Sequence, residues 1–455
     1  MLVRIAINNI LSFGLQREFH LLPNTRLGTL KDHIYKFQNF EYLKLSAIYG
    51  ANGTGKSNLV HCLGMLQYLV TKEQIPTKLK NGQFKFQENK SDTPQLIVVE
   101  FIFEETAFYY GVEISDGIIL TEELYQSGLG TKRDTLIFER KTDKEGNTTI
   151  NFPEKFEKQE KNRILKEVLL QEFVRPNKPV IKLLANRDNK DLQIVKKAYN
   201  WFEEGLTIIA PHSKPGALAI HLEQDSALNI FTNNIMHSFN IGIKGVKVQT
   251  EKAEDFFGKD NINDFKEIFE QLRENQEKVA RFNIANQNEI SLVAENNQLY
   301  VKTLQIEHTG SNDTSVFFDL EEESDGTIRL LDFVPAFNDL VNQKRVFVID
   351  EIERSLHPLL IRELIKKFSM DTLTKGQLIF TTHESNLLDQ AIFRTDEIWF
   401  TEKDNTGSTD MYSLSAFKEH KTIDIQKGYL SGRYGGIPFL GNLQDLNWHN
   451  YVTQE

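Results

Sequence analysis

The sequence has little of several things, and each scarcity excludes a class of protein. Cysteine occurs once, at Cys62, so no intrachain disulfide can form and a cytoplasmic location is expected. No run of about eighteen apolar residues is present, so no membrane span and no membrane partner are expected. Basic residues are outnumbered by acidic ones, 53 against 64, and the net charge of −11 argues against a protein that coats DNA with its whole surface.

What the sequence does contain is a glycine-rich stretch, GANGTGKS, that matches the phosphate-loop pattern G-x-x-x-x-G-K-[ST] in full. An apolar run of strand length, 45–49, precedes it, and apolar residues at helical spacing follow it. Glycines let backbone N–H groups converge on phosphate oxygens, and a helix N-terminus adds partial positive charge. The residues predicted to contact the triphosphate are Gly50, Ala51, Asn52, Gly53, Thr54, Gly55, Lys56, Ser57 and Asn58.

Two residues of this loop have predicted roles of their own. Lys56 is expected to reach the β- and γ-phosphates, and Ser57 to hold Mg²⁺ through its hydroxyl. The stretch NKSD at 89–92 matches a GTPase base-reading motif by its letters. It does not follow an apolar strand, so we interpret it as a turn and not as part of a GTPase site.

A pair of carboxylates follows a second run that is typical of a buried strand. Asp350 and Glu351 come directly after the apolar residues 346–349. Asp350 is predicted to support Mg²⁺, and Glu351 to orient the water that attacks the γ-phosphate. A third apolar run, 377–382, ends at His383, which is predicted to contact the γ-phosphate.

A Ser-Asp-Gly turn precedes the carboxylate pair and begins a helical pattern. Ser324 occupies the position of an N-capping residue, and the helix start that follows offers exposed amides. In ABC-type heads, which this order of motifs resembles, a second copy of the chain supplies such a turn, so Ser324, Asp325 and Gly326 are predicted to cap the γ-phosphate that the second copy binds. Gln87 is a candidate metal-contacting glutamine, and Phe13 is either an adenine-stacking residue or a buried core residue.

The order of these motifs resembles the ABC-type ATPase head. More specifically, it resembles the standalone bacterial ATPases of the abortive-infection AbiLi/RloA group and, more distantly, the ATPase subunits of PARIS (AriA) and Septu (PtuA). The closing stretch 432–438, GRYGGIP, resembles the closing motif of that group. The likeness covers residues 1–140 and 300–445.

This resemblance implies an α/β fold, an ABC-type P-loop NTPase head with a mixed sheet core and an antiparallel β subdomain, plus a largely helical insertion. Residues 1–145 are predicted to form lobe I, with the Walker A loop and the antiparallel sheet. Residues 146–285 are predicted to form the helical insertion, used for assembly or partner docking. Residues 286–455 are predicted to form lobe II, with the signature, Walker B, D-loop and H-loop.

The resemblance also implies a function. It predicts a nucleotide-switched sensor or scaffold in anti-phage defence, with ATP and Mg²⁺ as cofactors and an ATP-bridged homodimer or higher homo-oligomer. A separately encoded nuclease or toxin is the expected effector, and a phage protein the expected trigger. Two alternatives stay open: a DNA-repair or DNA-processing ATPase like a coil-less SMC or break-repair head, for which DNA is the partner, and a transporter ATP-binding subunit.

Overall fold

The computed structural model describes residues 1–86, 93–239, 242–258, 266–274, 279–283, 289–296, 298–417 and 423–437. The chain divides into two compact units. Unit 1 comprises 1–209, 344–352 and the residues from 365 onward, and unit 2 comprises 210–343 and 353–364. Among the described helices, none combines the length and apolar character needed to cross a membrane.

The strands, in chain order, are β1 (Leu2–Asn8), β2 (Arg17–His20), β3 (Ile34–Phe37), β4 (Phe40–Leu43), β5 (Leu45–Tyr49), β6 (Gln95–Phe103), β7 (Thr106–Ser115), β8 (Ile118–Gln126), β9 (Thr135–Thr142), β10 (Thr148–Asn151), β11 (Leu206–Ile209), β12 (Ile243–Lys252), β13 (Ala280–Asn283), β14 (Glu289–Glu295), β15 (Gln298–Thr309), β16 (Ser315–Asp319), β17 (Val346–Ile349), β18 (Gln377–Thr382), β19 (Ile398–Lys403) and β20 (Thr409–Ser413).

The α-helices, in chain order, are α1 (Lys56–Lys72), α2 (Thr77–Lys80), α3 (Glu154–Glu157), α4 (Glu160–Val168), α5 (Ile181–Ala185), α6 (Gln193–Asn200), α7 (Leu218–Gln224), α8 (Ser226–Ser238), α9 (Ala253–Phe257), α10 (Lys266–Glu274), α11 (Asp325–Asn342), α12 (Pro358–Met370) and α13 (Ile425–Leu430).

An antiparallel sheet in unit 1 has the strand order β10-β9-β8-β7-β6-β1-β2. The sequence predicts its central meander, because residues 95–142 alternate in polarity and carry a turn at Asp116-Gly117. The observed antiparallel pairing of β6 with β7, β7 with β8, and β8 with β9 confirms that prediction.

A second sheet in unit 1 has the order β11-β17-β18-β5-β19-β20, and its strands are parallel except for β20 at the edge. Strands β5, β17 and β18 are buried at every position, as expected of parallel strands covered on both faces. Because these three strands are neighbours and parallel, the segments that follow them leave from one edge of the sheet. The predicted α/β fold with a mixed sheet core and an antiparallel subdomain is confirmed.

Unit 2 is built on the long strand β15. Strand β12 pairs along one edge of β15, β14 and β16 share the other, and β13 pairs with β14. The hairpin between β14 and β15 pairs Glu295 with Gln298, and Asn296 has a φ of 49° at its turn. The sequence predicts a hairpin around Asn296-Asn297, and the pairing of β14 with β15 confirms it, although Asn297 itself lies outside the described residues.

The domain boundaries predicted from the sequence, after residues 145 and 285, differ from the boundaries between the two units. The helices within 154–205 belong to unit 1, because their apolar faces bury against its antiparallel sheet. Trp201, for example, stacks on Phe101 of β6 with ring centroids 4.1 Å apart. The segment predicted to be a helical insertion also contains β12, so it comprises parts of both units and is not entirely helical.

One buried carboxylate joins the antiparallel sheet to the segment that leads into α5. Glu122 of β8 is fully buried and accepts hydrogen bonds from the Tyr110 hydroxyl at 3.0 Å, Val180 N at 2.7 Å and Ile181 N at 3.0 Å. Burial raises the pKa of Glu122, while the charge of Arg140 and these donors lower it. The carboxylate therefore satisfies three groups that would otherwise lack an acceptor inside the protein.

Replacing Glu122 with alanine should leave those three donors unsatisfied in a dry environment. We expect Glu122→Ala to lower the free energy of unfolding by about 2–4 kcal/mol, measured by urea denaturation. Glu139→Ala, a less buried glutamate on the neighbouring strand, is the control and should cost under about 1 kcal/mol. Equal losses for the two variants would contradict the role assigned to Glu122.

Candidate functional site

The glycine-rich loop connects β5 to α1 and has a conformation that requires glycine at two positions. A side chain on Gly50 would lie 2.6 Å from the Thr401 carbonyl oxygen. Gly55 has a φ of 117°, and a methyl group there would lie 2.8 Å from Ser12 Oγ. Both the close approach and the left-handed backbone therefore demand residues without a Cβ.

Hydroxyl groups from remote segments hold this loop in place. Thr401 Oγ1 on β19 lies 2.7 Å from Thr54 Oγ1. Thr409 Oγ1 on β20 lies 2.7 Å from both Thr54 O and Ser12 Oγ. Asn58 Nδ2 also donates to Ser12 Oγ, at 2.8 Å. Sequence reasoning missed Ser12, Thr401 and Thr409, because nothing in their local sequence distinguishes them from other hydroxyl residues.

Lys56 lies buried at the centre of the loop. Its ammonium donates to Gly50 O at 2.7 Å and Ala51 O at 3.1 Å, and it lies 3.4 Å from His383 Nδ1. A buried cation encircled by loop backbone supplies the point charge that phosphate oxygens bind. The structure therefore brings together Lys56 and His383, two residues that the sequence separates widely.

The environment of His383 favours its neutral form. Partial burial lowers the pKa of His383, and the charge of Lys56 lowers it further, while Glu351 and Asp350 act in the opposite direction. With a pKa below its ordinary value of about 6.5, the imidazole is uncharged at neutral pH. It can then form hydrogen bonds beside Lys56 without adding a second positive charge.

Asp350 lies where β17 ends and meets the loop through Ser57. Ser57 Oγ donates to Asp350 Oδ1 at 3.1 Å, and Thr381 Oγ1 donates to the same oxygen at 2.6 Å. Thr381 Oγ1 in turn accepts from Glu351 N at 2.8 Å, and Glu351 has a φ of 51°. Thr381, on β18, thus fixes both carboxylate residues, and it is a further residue that sequence reasoning missed.

The oxygen atoms of Ser57 and Asp350 fit a bound Mg²⁺. Mg²⁺ prefers hard oxygen ligands, and proteins hold it with one or two carboxylates together with substrate phosphates and water. The hydroxyl and the carboxylate lie within hydrogen-bond distance of each other at the edge of the loop. A small cation could therefore bind both while it contacts phosphates on the loop.

The Ser-Asp-Gly turn lies in unit 2, at the start of α11. Ser324 is the N-cap, and its Oγ accepts from Thr327 N at 3.2 Å, as its sequence position predicts. Ser324 and Asp325 are exposed. A methyl group on Gly326 would lie 2.9 Å from Ser355 O, so a larger residue would disturb the turn.

Two other sequence-based candidates have different outcomes. Gln87 lies outside the described residues, as does Pro438 at the end of the GRYGGIP stretch. Phe13 has no exposed surface and belongs to the hydrophobic core of unit 1, so the core interpretation of this residue is correct and the stacking interpretation is not.

A cavity of about 680 Å³ adjoins the loop. Its lining includes Asn58, which follows the loop, and Ser12, which is hydrogen-bonded to Asn58. Lys78, Lys403 and Phe86 also line it, and Phe86 is 75% exposed. A ligand with phosphates on the loop could extend into this cavity, where an aromatic face and amines are available to a base and a sugar.

The strand–loop–helix unit, with a buried lysine at its centre and an aspartate at the end of a neighbouring parallel strand, defines a P-loop nucleoside triphosphatase fold. A family model described as "AAA domain, putative AbiEii toxin, Type IV TA system" matches residues 45–172 and 209–389, which is more than half of the chain. The chain belongs to this family of P-loop ATPases.

Solved structures with a similar backbone include three SMC heads, each 12% identical in sequence to this chain. A SmcHead bound to the C-winged helix domain of ScpA has a TM-score of 0.45 and covers 92% of this chain and 99% of its own. The SMC head domain from Thermotoga maritima has a TM-score of 0.39, with 90% and 98% covered. A Pyrococcus furiosus Smc head with an extended coiled coil, bound to the C-terminal domain of ScpA, has a TM-score of 0.37, with 95% and 98% covered.

These values describe a distant likeness, and the fold assignment stands on the sheet topology described above. No match was found among curated proteins.

Thr381 offers a test of how the metal ligands are held. Thr381→Val keeps the shape of the side chain but removes the hydrogen bonds to Asp350 and Glu351. We expect the Mg²⁺ concentration that half-saturates nucleotide binding to rise about 10- to 100-fold, measured by titration with a fluorescent ATP analogue. Thr142→Val, also in a buried strand position of unit 1, is the control. An unchanged Mg²⁺ dependence would show that Thr381 does not position Asp350.

Proposed function

We propose that the protein binds ATP with Mg²⁺ on the loop of unit 1 and hydrolyses it to ADP and phosphate. The observation that carries this proposal is the hydrogen bond between Ser57 and Asp350, which joins two motifs 293 residues apart. The same pair lies near Lys56 and His383. The cation of Lys56, the neutral imidazole of His383 and the carboxylate of Asp350 therefore surround one place where a triphosphate can bind.

Each residue has a definite task in this proposal. Lys56 binds the phosphate oxygens, and Ser57 and Asp350 hold the metal ion, which when bound neutralises part of the triphosphate charge. Glu351 orients the attacking water and accepts its proton on a carboxylate oxygen. His383, uncharged at neutral pH, forms a hydrogen bond with the γ-phosphate. Catalysis of this kind is largely positioning and charge stabilisation.

We propose further that the site is completed by a second copy of the chain. The turn at Ser324–Gly326 stands at the start of an 18-residue helix, and Ser324 and Asp325 are exposed. A helix start of this kind supplies N–H donors and partial positive charge to an anion. In the ATP-bridged homodimer, this turn caps the γ-phosphate held by Lys56 of the other copy, and hydrolysis releases the two copies from each other.

Two substitutions test the catalytic and dimeric parts of this proposal separately. Glu351→Gln should bind ATP as the parent does but hydrolyse it about 10²- to 10⁴-fold more slowly, because the water loses its proton acceptor. Light scattering should then show a stable dimer with ATP. Ser324→Arg should also slow turnover strongly but should leave the protein monomeric with ATP.

The outcomes that contradict these expectations also differ. Parent-like turnover in Glu351→Gln would show that Glu351 does not orient the attacking water. Parent-like turnover in Ser324→Arg would show that a second copy does not cap the γ-phosphate, but it would not contradict ATP binding by Lys56.

We also propose that the nucleotide state controls a separately encoded toxic effector in anti-phage defence. The order of motifs described above supports this proposal. The family description, which names a putative AbiEii toxin of a type IV TA system, relates the family to toxin systems but names no separate effector. In this function the ATP-bridged assembly holds the effector inactive, and a phage protein triggers its release.

A phage challenge of cells carrying the gene with its neighbours tests the cellular role. Plaque numbers should fall at least about tenfold with the parent and recover with Lys56→Ala, which lacks the cation that binds phosphate. Equal plaque numbers would contradict the defence role. ATP turnover that DNA stimulates, and that falls steeply with salt, would instead favour a DNA-processing function.

A further inference from the structure

The closing segment, residues 423–437, lies beyond residue 389, where the match to the family model ends. It consists of helix α13 and a glycine-rich turn at Gly432–Ile437. We propose that the closing segment is a positioning element for the nucleotide site. It holds the phosphate loop through its turn and holds the segment that follows His383 through its helix. This inference rests on the proposed ATP-binding function.

The turn of the closing segment lies against the first glycine of the phosphate loop. A methyl group on Gly436, whose φ is 64°, would lie 3.5 Å from Thr401 O and 3.6 Å from the Cα of Gly50. Thr401 is itself bonded to the loop at Thr54 and lies 3.3 Å from Tyr49 O. The start of the loop is therefore packed between β19 and the closing segment, and a larger residue at 436 would push against it.

Aromatic stacking anchors the closing segment to the strands that carry the loop. Phe400 of β19 stacks with Tyr429 at 5.5 Å and with Tyr434 at 5.9 Å between ring centroids. Tyr429 also contacts Tyr49, the residue that precedes the loop, at 5.9 Å. The Tyr429 hydroxyl then donates to Gly436 O at 3.2 Å. One buried tyrosine thus links the last residue of β5 to the turn that touches Gly50.

The other end of the closing segment is bonded to the residues after His383. Gln426 Nε2 donates to Asn386 Oδ1 at 2.9 Å, and Gln390 Nε2 donates to Ile423 O at 3.0 Å. Asn386 is three residues beyond His383. The closing segment therefore contacts both elements that carry γ-phosphate-binding groups, and it fixes them relative to each other within unit 1.

This arrangement predicts a different effect for each end of the closing segment. Distortion of the turn moves backbone N–H groups of the loop, which contact all the phosphates, so it should weaken ATP binding. Loss of the Gln426 bond frees the His383 segment, which in the proposed mechanism contacts only the γ-phosphate, so it should slow turnover more than it weakens binding. A purely structural role would lower the melting temperature without this division.

Gly436→Val tests the turn, and Gly130→Val is its matched control. Gly130 has a φ of 69°, close to that of Gly436, but no atom lies within 4 Å of its Cβ position, so both variants carry similar backbone strain. Well below the melting temperature, Gly436→Val should raise the Kd for a fluorescent ATP analogue about tenfold or more, and Gly130→Val should not. If Gly436→Val fails to fold, Gly436→Ala replaces it in the test. Its methyl group would make only ordinary contacts, so a smaller rise in the Kd is expected.

Gln426→Ala tests the helix end: kcat should fall about three- to tenfold while the Kd stays within about twofold of the parent value. The proposal would be overturned if Gly436→Val, or Gly436→Ala in its place, bound ATP with the same Kd as the parent. It would also be overturned if Gly130→Val weakened ATP binding as much as the substitution at Gly436. A parent protein that binds ATP no better than Lys56→Ala would instead overturn the proposed function itself.

Discussion

The arrangement of the candidate site depends on the hydrogen bonds that the carboxylate of Asp350 accepts. This carboxylate accepts hydrogen bonds from Ser57 and Thr381, so it joins the loop after β5, the end of β17 and strand β18. This meeting is possible because the three strands are parallel neighbours whose carboxyl ends share one edge of the sheet. Without that alignment, Ser57 of the glycine loop could not form its hydrogen bond with Asp350, which lies 293 residues further along the chain.

The geometry of the loop is maintained by its surroundings as well as by its own glycines. Left-handed backbone and close approach leave no room for side chains at Gly50 and Gly55, so strands β19 and β20 can place hydroxyl groups directly against the loop. A backbone held at this many points needs little rearrangement when it binds an anion. Such preorganisation is what makes fixed N–H groups effective ligands.

The sequence predicts those parts of the site whose function is contained in adjacent residues. The run from Gly50 to Ser57 and the pair Asp350-Glu351 can be recognised because spacing within a short stretch defines them. The antiparallel meander is predictable for a similar reason, since alternation of polarity is a local property. The structure has the loop between β5 and α1, the acidic pair directly after β17, and the meander as antiparallel strands, as the sequence predicts.

Contacts between remote segments are not predictable in this way. Thr381, Thr401 and Thr409 are ordinary strand residues by their local sequence, and only the folded sheet shows that they hold the loop and the acidic pair. The boundary near residue 209 was missed because the charged helices before it bury their apolar faces against a sheet formed much earlier in the chain.

The interleaved course of the chain has a consequence for how this protein can change over evolutionary time. The polypeptide passes between the two units at 209/210, 343/344, 352/353 and 364/365, so neither unit is a continuous stretch of the gene. A recombination event with two breakpoints cannot exchange one unit for that of a relative. An exchange of residues 210–343 alone would carry the Ser-Asp-Gly turn but would leave residues 353–364 of the same unit behind, so the two parts of unit 2 would then come from different parents.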